Sequence, residues 1–123
     1  MRIVCRPEFL TMPAGTIYHK YHPQYIGNLQ VKVSDETDSF DWVAVEPGMP
    51  DWQDSEQLGM RLSQMEKDPT VSYPLDVSAG RDGEFAKDQL FMVYEDADKL
   101  ALAELLGLED VFPDTSTPPS LRC

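Results

Sequence analysis

At 123 residues the chain has room for one domain with a real core, and its 41% hydrophobic content supports folding rather than disorder. No apolar run approaches the roughly 18 residues of a membrane span. A net charge of −12 exceeds what solubility demands and would repel phosphates, which argues against direct nucleic-acid binding.

In chain order, Arg2 to Leu10 offers a first short strand that Pro7 would confine to an edge or bend. The start MRIVCRPEFL is too short and too interrupted for a signal peptide, so export is not expected, and Cys5 and Cys123 are expected as thiols. They lie at opposite ends of the sequence without metal-ligand spacing. After the turn at Pro13-Ala14-Gly15, the β-branched and aromatic run from Thr16 to Tyr21 predicts a strand, with Ile17, His19 and Tyr21 on one face and Thr16, Tyr18 and Lys20 on the other. Leu29 to Val33 alternates apolar and polar, as a half-buried antiparallel strand does.

An acidic loop follows, then a strand candidate from Phe40 to Glu46 that Pro47-Gly48-Met49-Pro50 breaks. Asp54 with Gln57 three residues on makes a capping box, and Leu58, Leu62 and Met65 repeat at helical spacing, so a helix is expected over 54–67. Asp68-Pro69 ends it. Val71 to Val77 is extended, with Pro74 suiting an edge strand or an approach to the next one.

The stretch Gly80 to Gly107 carries the clearest signals. Asp82-Gly83 marks a tight turn, and Gln89 to Glu95 reads as a strand covered on both faces. Asp96 stands at a helix N-cap, Asp98 charges the first turn, Leu102, Leu105 and Leu106 share a face, and Gly107 stops the helix, which is expected over 97–106. The tail PDTSTPPSLRC is expected to be flexible over 113–123. The order of elements gives a single α+β domain over 1–112, an antiparallel sheet of about 4–6 strands packed with two main helices.

No motif states a catalytic chemistry. A Gly-x-Ser-x-Gly elbow, a phosphate-cradling glycine loop and a Cys/His pair at known spacing are all missing. His19 and His22 have an i, i+3 spacing that zinc ligands use on a helix, but they fall in a strand before Pro23. Asp96-x-Asp98 and the run Asp35-Glu36-Thr37-Asp38 lack calcium-loop spacing and read as a helix cap and a solvated loop. No cofactor or metal is expected, and no catalytic residue.

Charge distribution is the informative feature. Residues 1–34 hold Arg2, Arg6, Lys20 and Lys32 against Glu8, a net +3, while the remaining six bases and twenty-one acids give −15. Between Val33 and Met60 there are eight acids and no Lys or Arg. A fold that spaces carboxylates along one face offers a basic groove the field a duplex offers, with one charge about every 1.7 Å of axis. The candidate partner-binding residues are Asp35, Glu36, Asp38, Asp41, Asp51, Asp54 and Glu56, with Asp82, Glu84, Asp88, Asp96 and Asp98 as a second group.

The segments FLTMPAGTIYHKYHP, LQVKV and RDGEFAKDQLFMVYEDAD resemble a group of small proteins encoded by tailed phages and prophages, in which PxGTxYxKYxP and RDGxFxxDQLFxVxE recur. The shared aromatics, glycines and turn formers speak for fold. The resemblance implies a phage protein acting in the cytoplasm of a bacterial host, similar in kind to anti-CRISPR proteins and other inhibitors of host defence, several of which mimic DNA. The expected partner is a host Cas complex or nuclease with a basic nucleic-acid-binding surface, and a homodimer stays open. The alternatives are a small enzyme modifying a host factor through carboxylates and His19 or His22, and a structural or regulatory oligomerisation module.

Overall fold

The structure, a computed structural model, describes residues 1–34, 41–83 and 86–108. It is a small α+β fold built on one antiparallel sheet. Its elements are β1 (Arg2–Cys5), α1 (Arg6–Leu10), β2 (Ile17–His22), β3 (Tyr25–Ile26), β4 (Gln30–Lys32), β5 (Val43–Val45), α2 (Ser55–Lys67), β6 (Gly80–Arg81), β7 (Leu90–Val93) and α3 (Asp96–Leu105). The strand order is β1-β7-β2-β4-β5-β6, with β3 added to β2 as a short hairpin.

The pairing of β7 between β1 and β2 sets the register of everything else. Val4, Phe91 and Lys20 stand in one row, and Arg2, Val93 and Tyr18 in the next. Because side chains alternate across a pleated strand, these residues share one face with Gln30, Lys32 and Ala44 farther along the sheet. Ile3, Met92, His19, Ile17, Val31 and Val45 take the other. The expected division of β2 into an Ile17/His19/Tyr21 face and a Tyr18/Lys20 face is therefore present.

The core lies on the first face, beneath α1. Phe9 is fully buried and stacks on Phe91 with ring centroids 4.1 Å apart, while Tyr18 and Trp42 meet its edges at 4.6 and 5.0 Å. The expected strand from Arg2 to Leu10 thus ends at Cys5. Pro7 opens a helix, where a fixed φ and a missing N–H cost nothing, and five residues are held helical by the packing of Phe9. Lys32, fully buried, extends its ammonium to the carbonyls of Phe9, Leu10 and Met12 at 3.2, 3.2 and 2.6 Å, satisfying the C-terminal end of α1. Trp42 Nε1–H donates to the Tyr18 hydroxyl at 2.7 Å, and burial raises the pKa of that hydroxyl, keeping it protonated.

Both longer helices lie where expected. Asp54 accepts from the Gln57 N–H as the N-cap of α2. For α3 the cap is Glu95 rather than Asp96, with Asp98 closing a capping box back to the Glu95 N–H. Gly107, at φ +73, follows its end. The leucine pattern of α3 misleads, however: Leu105 and Leu106 are 81% and 61% exposed, and only Ala103 is buried. Cys5, expected as a thiol, is disulfide-bonded. Cys123 and the predicted tail lie outside the described residues.

Candidate partner-binding surface

The segment from Glu46 to Ala79 leaves the sheet after β5 and returns at β6. Its two legs run antiparallel: Asp76 N–H donates to Met49 O at 2.8 Å, Asp51 N–H to Pro74 O at 2.7 Å, and Pro50 stands opposite Leu75. The extended 71–77 stretch therefore pairs with the start of this arm and not with the central sheet. Helix α2 closes the arm. Its Arg61 guanidinium lies 4.4 Å over the Tyr73 ring, donates to the Asp51 carbonyl and approaches the Asp51 carboxylate at 4.0 Å. Tyr73 O–H bonds Gln64 Oε1.

Alternation along the legs sorts their side chains. Pro50 and Leu75 face each other across the ribbon, and alternation brings Trp52 and Val77 to the same side, where Tyr73 is covered by Arg61 and Gln64 of α2. Trp52, Leu75 and Val77 are 37%, 54% and 66% exposed. Asp51 and Asp76 fall on the opposite side. No residue of α2 is buried, and Met60 and Leu62 are exposed as well.

The predicted acids divide into four sets. Asp51, Asp54 and Glu56 are exposed and close in sequence around the start of α2, with Asp54 also serving as its cap. Asp88 and Asp96 are exposed elsewhere, and Asp98 is engaged by the Met1 amine at 2.6 Å and the Glu95 N–H, which lower the pKa of its carboxyl. Asp35, Glu36, Asp38 and Glu84 lie outside the described residues.

Asp41 and Asp82 are corrections. Asp41 is 7% exposed, and its carboxylate accepts from the Trp42 N–H at 2.8 Å and the Gly83 N–H at 3.1 Å, so it ties β5 to the turn before β7. Asp82 has a side chain 6% exposed and pairs with Lys20 at 2.8 Å, and Lys20 in turn lies 5.8 Å over Trp42. Neither carboxylate is presented to a partner. Counting charges gives no depth, which is why sequence grouped them with the surface acids.

The cations of the first half are likewise turned inward. Arg6 and Lys32 are buried, Arg2 pairs with Glu8 at 2.8 Å, and Lys20 pairs with Asp82. His19 is also occupied: its ring nitrogens meet the Gly27 carbonyl at 2.9 Å and the Tyr94 hydroxyl at 3.1 Å. Since a carbonyl only accepts, Nδ1 carries a proton, and the Tyr94 hydroxyl, which can donate or accept, meets Nε2. His22 stacks on Tyr25 at 4.5 Å.

The apolar side of the arm was missed by sequence reasoning. The signal available was Trp52 between Asp51 and Asp54, an aromatic in an otherwise polar stretch. Together the sheet and arm define a small single-domain α+β protein with an acidic, partly apolar projection. Compared with known proteins, the chain matches no family model, and no curated protein or solved structure is significantly similar to it. Among the described residues no helix is long and apolar enough to cross a membrane, and no group of three or more His, Cys, Asp or Glu is placed to hold a metal ion.

Proposed function

We propose that this is an anti-defence binding protein of phage origin, an anti-CRISPR in kind, whose carboxylates occupy a basic DNA-binding surface of a host Cas complex or nuclease in place of phosphates. The observation that carries the reading is the sorting of charge by depth. Asp51, Asp54 and Glu56 are exposed, while Arg6 and Lys32 are buried and Arg2 and Lys20 are held in ion pairs. With a net charge of −12 and Asp51, Asp54 and Glu56 exposed at the start of α2, that end of the arm carries a negative field, which attracts a cationic groove and speeds encounter with it. The phage link rests on the resemblance of the PxGTxYxKYxP and RDGxFxxDQLFxVxE segments alone.

The test is capture from a bacterial host lysate, with duplex DNA as competitor, at about 0.05 M and about 0.5 M salt. A nucleic-acid-binding protein should be captured stoichiometrically, displaced by duplex, and captured more slowly at the higher salt. Capture indifferent to both, or modification of a host factor at sub-stoichiometric amounts, would refute the reading in favour of another interface or an enzyme.

A further inference from the structure

We propose that the apolar side of the 46–79 arm left open beside α2, formed by Pro50, Trp52, Leu75 and Val77, is the anchor of the interface, and that it seats in an apolar cleft of a protein whose rim is basic. This deepens the acidic-surface reading and rests on it. Trp52, Leu75 and Val77 are 37%, 54% and 66% exposed along one side of a hydrogen-bonded ribbon. Contiguous apolar exposure on a small soluble protein marks an interaction surface. Tryptophan is also the side chain that most often dominates an interface when it is buried there.

Charge selects the occupant. The arm holds Glu46, Asp51, Asp54, Glu56, Glu66, Asp68 and Asp76 against Arg61 and Lys67, a net −5. A second copy would bring like charge to like charge. A basic rim around an apolar floor answers both the carboxylates and the indole. Apolar anchoring further implies that binding outlasts the screening of the carboxylates: salt slows association but does not abolish the complex.

Two synthetic peptides of equal charge serve as probes, one of repeating Lys-Leu-Leu-Lys units and one of lysine alone. Trp42 is fully buried, so a shift of tryptophan emission on binding reports Trp52. The amphipathic peptide is expected to bind at least about tenfold more tightly than oligolysine, to move the emission to the blue, and to stay bound at about 0.5 M salt. The double variant Trp52→Ser/Leu75→Ser should erase that advantage and leave oligolysine binding as it was. Both positions are exposed, so an unchanged thermal midpoint and unchanged Trp42 emission establish that the variant is folded.

Equal affinity for the two peptides, or no effect of the double variant, overturns the anchor. Sedimentation as a dimer that the double variant dissociates also overturns it, naming a second copy as the occupant. The acidic reading fails separately: Asp51→Lys/Asp54→Ser/Glu56→Lys would then leave oligolysine binding unchanged, whatever the double variant does.

Discussion

Replacing Asp82 by Ala tests whether acids in this chain are structural or presented. The carboxylate is 6% exposed and lies 2.8 Å from the Lys20 ammonium, whose side chain is 20% exposed and rests on the Trp42 ring. Removing one member of a buried pair costs about 3–5 kcal/mol, because the other is left desolvated. Lys20 keeps some access to water and a cation–π contact worth about 0.5–1 kcal/mol, so a loss of about 2–3 kcal/mol is expected here. With an m-value of about 1–3 kcal/mol/M, the urea midpoint followed by Trp42 emission should fall by about 1–2 M. The double variant Lys20→Met/Asp82→Leu removes the pair without orphaning a charge and should lie within about 1 kcal/mol of the parent. A loss below about 1 kcal/mol for Asp82→Ala, or a double variant as unstable as the single, would show that the pair is not buried as described and would return Asp82 to the surface acids.

Other outcomes follow from the same geometry. Asp51→Lys/Asp54→Ser/Glu56→Lys changes the net charge from −12 to −7 while keeping a capping side chain for Gln57 N–H, so stability should stay within about 0.5 kcal/mol while association with a cationic partner slows in stopped flow. Phe9→Ala empties the centre of the aromatic cluster and should cost about 3–5 kcal/mol in urea unfolding, with α1 lost with it. The carboxyls of Asp68, Asp76 and Asp98 have pKa values lowered by Thr70, by Ser78 and by the Met1 amine with the Glu95 N–H. A lowered folded value means their contribution is complete above the unfolded value of 3.8 and is lost as pH falls below it. Thermal midpoints measured from pH 6 down should therefore drop below about pH 4, and Asp98→Asn should flatten its share of that drop.

Strands β2 and β4 and helix α2 were legible because each has a local cause: alternation, or a capping box ahead of periodic leucines. Strand β7 was legible as a short apolar run between polar ends, and it does lie between two strands. Three features were not legible, for a shared reason. Helix α1 is too short to show a period and exists because Phe9 finds Phe91, Tyr18 and Trp42. The leucines of α3 repeat correctly, but periodicity names a face without supplying what covers it. Asp41 and Asp82 are buried by partners more than 40 residues away in sequence, Gly83 and Lys20 respectively. Each depends on a contact that only the closed fold provides.

The stretch around β2 and the stretch from Asp82 through β7 meet in the structure. Lys20 pairs with Asp82, Gln89 Nε2 donates to the Tyr21 carbonyl at 3.1 Å, and β2 lies along β7, so the segments build one wall of the core. The arm lies outside both, inserted between β5 and β6. That placement makes the arm separable. Its legs come within one hydrogen bond at Met49 and Asp76, 2.8 Å, so replacing 50–75 by an Asn-Gly turn closes the gap with backbone geometry a hairpin favours. The shortened chain should keep the sheet and the aromatic cluster, because α2 buries none of its residues. Trp42 would be its single tryptophan and should retain the emission of a fully buried indole. Binding to a basic partner should be lost with Trp52, Asp51, Asp54 and Glu56. If the shortened chain instead exposes Trp42 or unfolds, the arm belongs to the fold and its apolar side completes the core; if it folds and still binds, the interface lies elsewhere on the sheet.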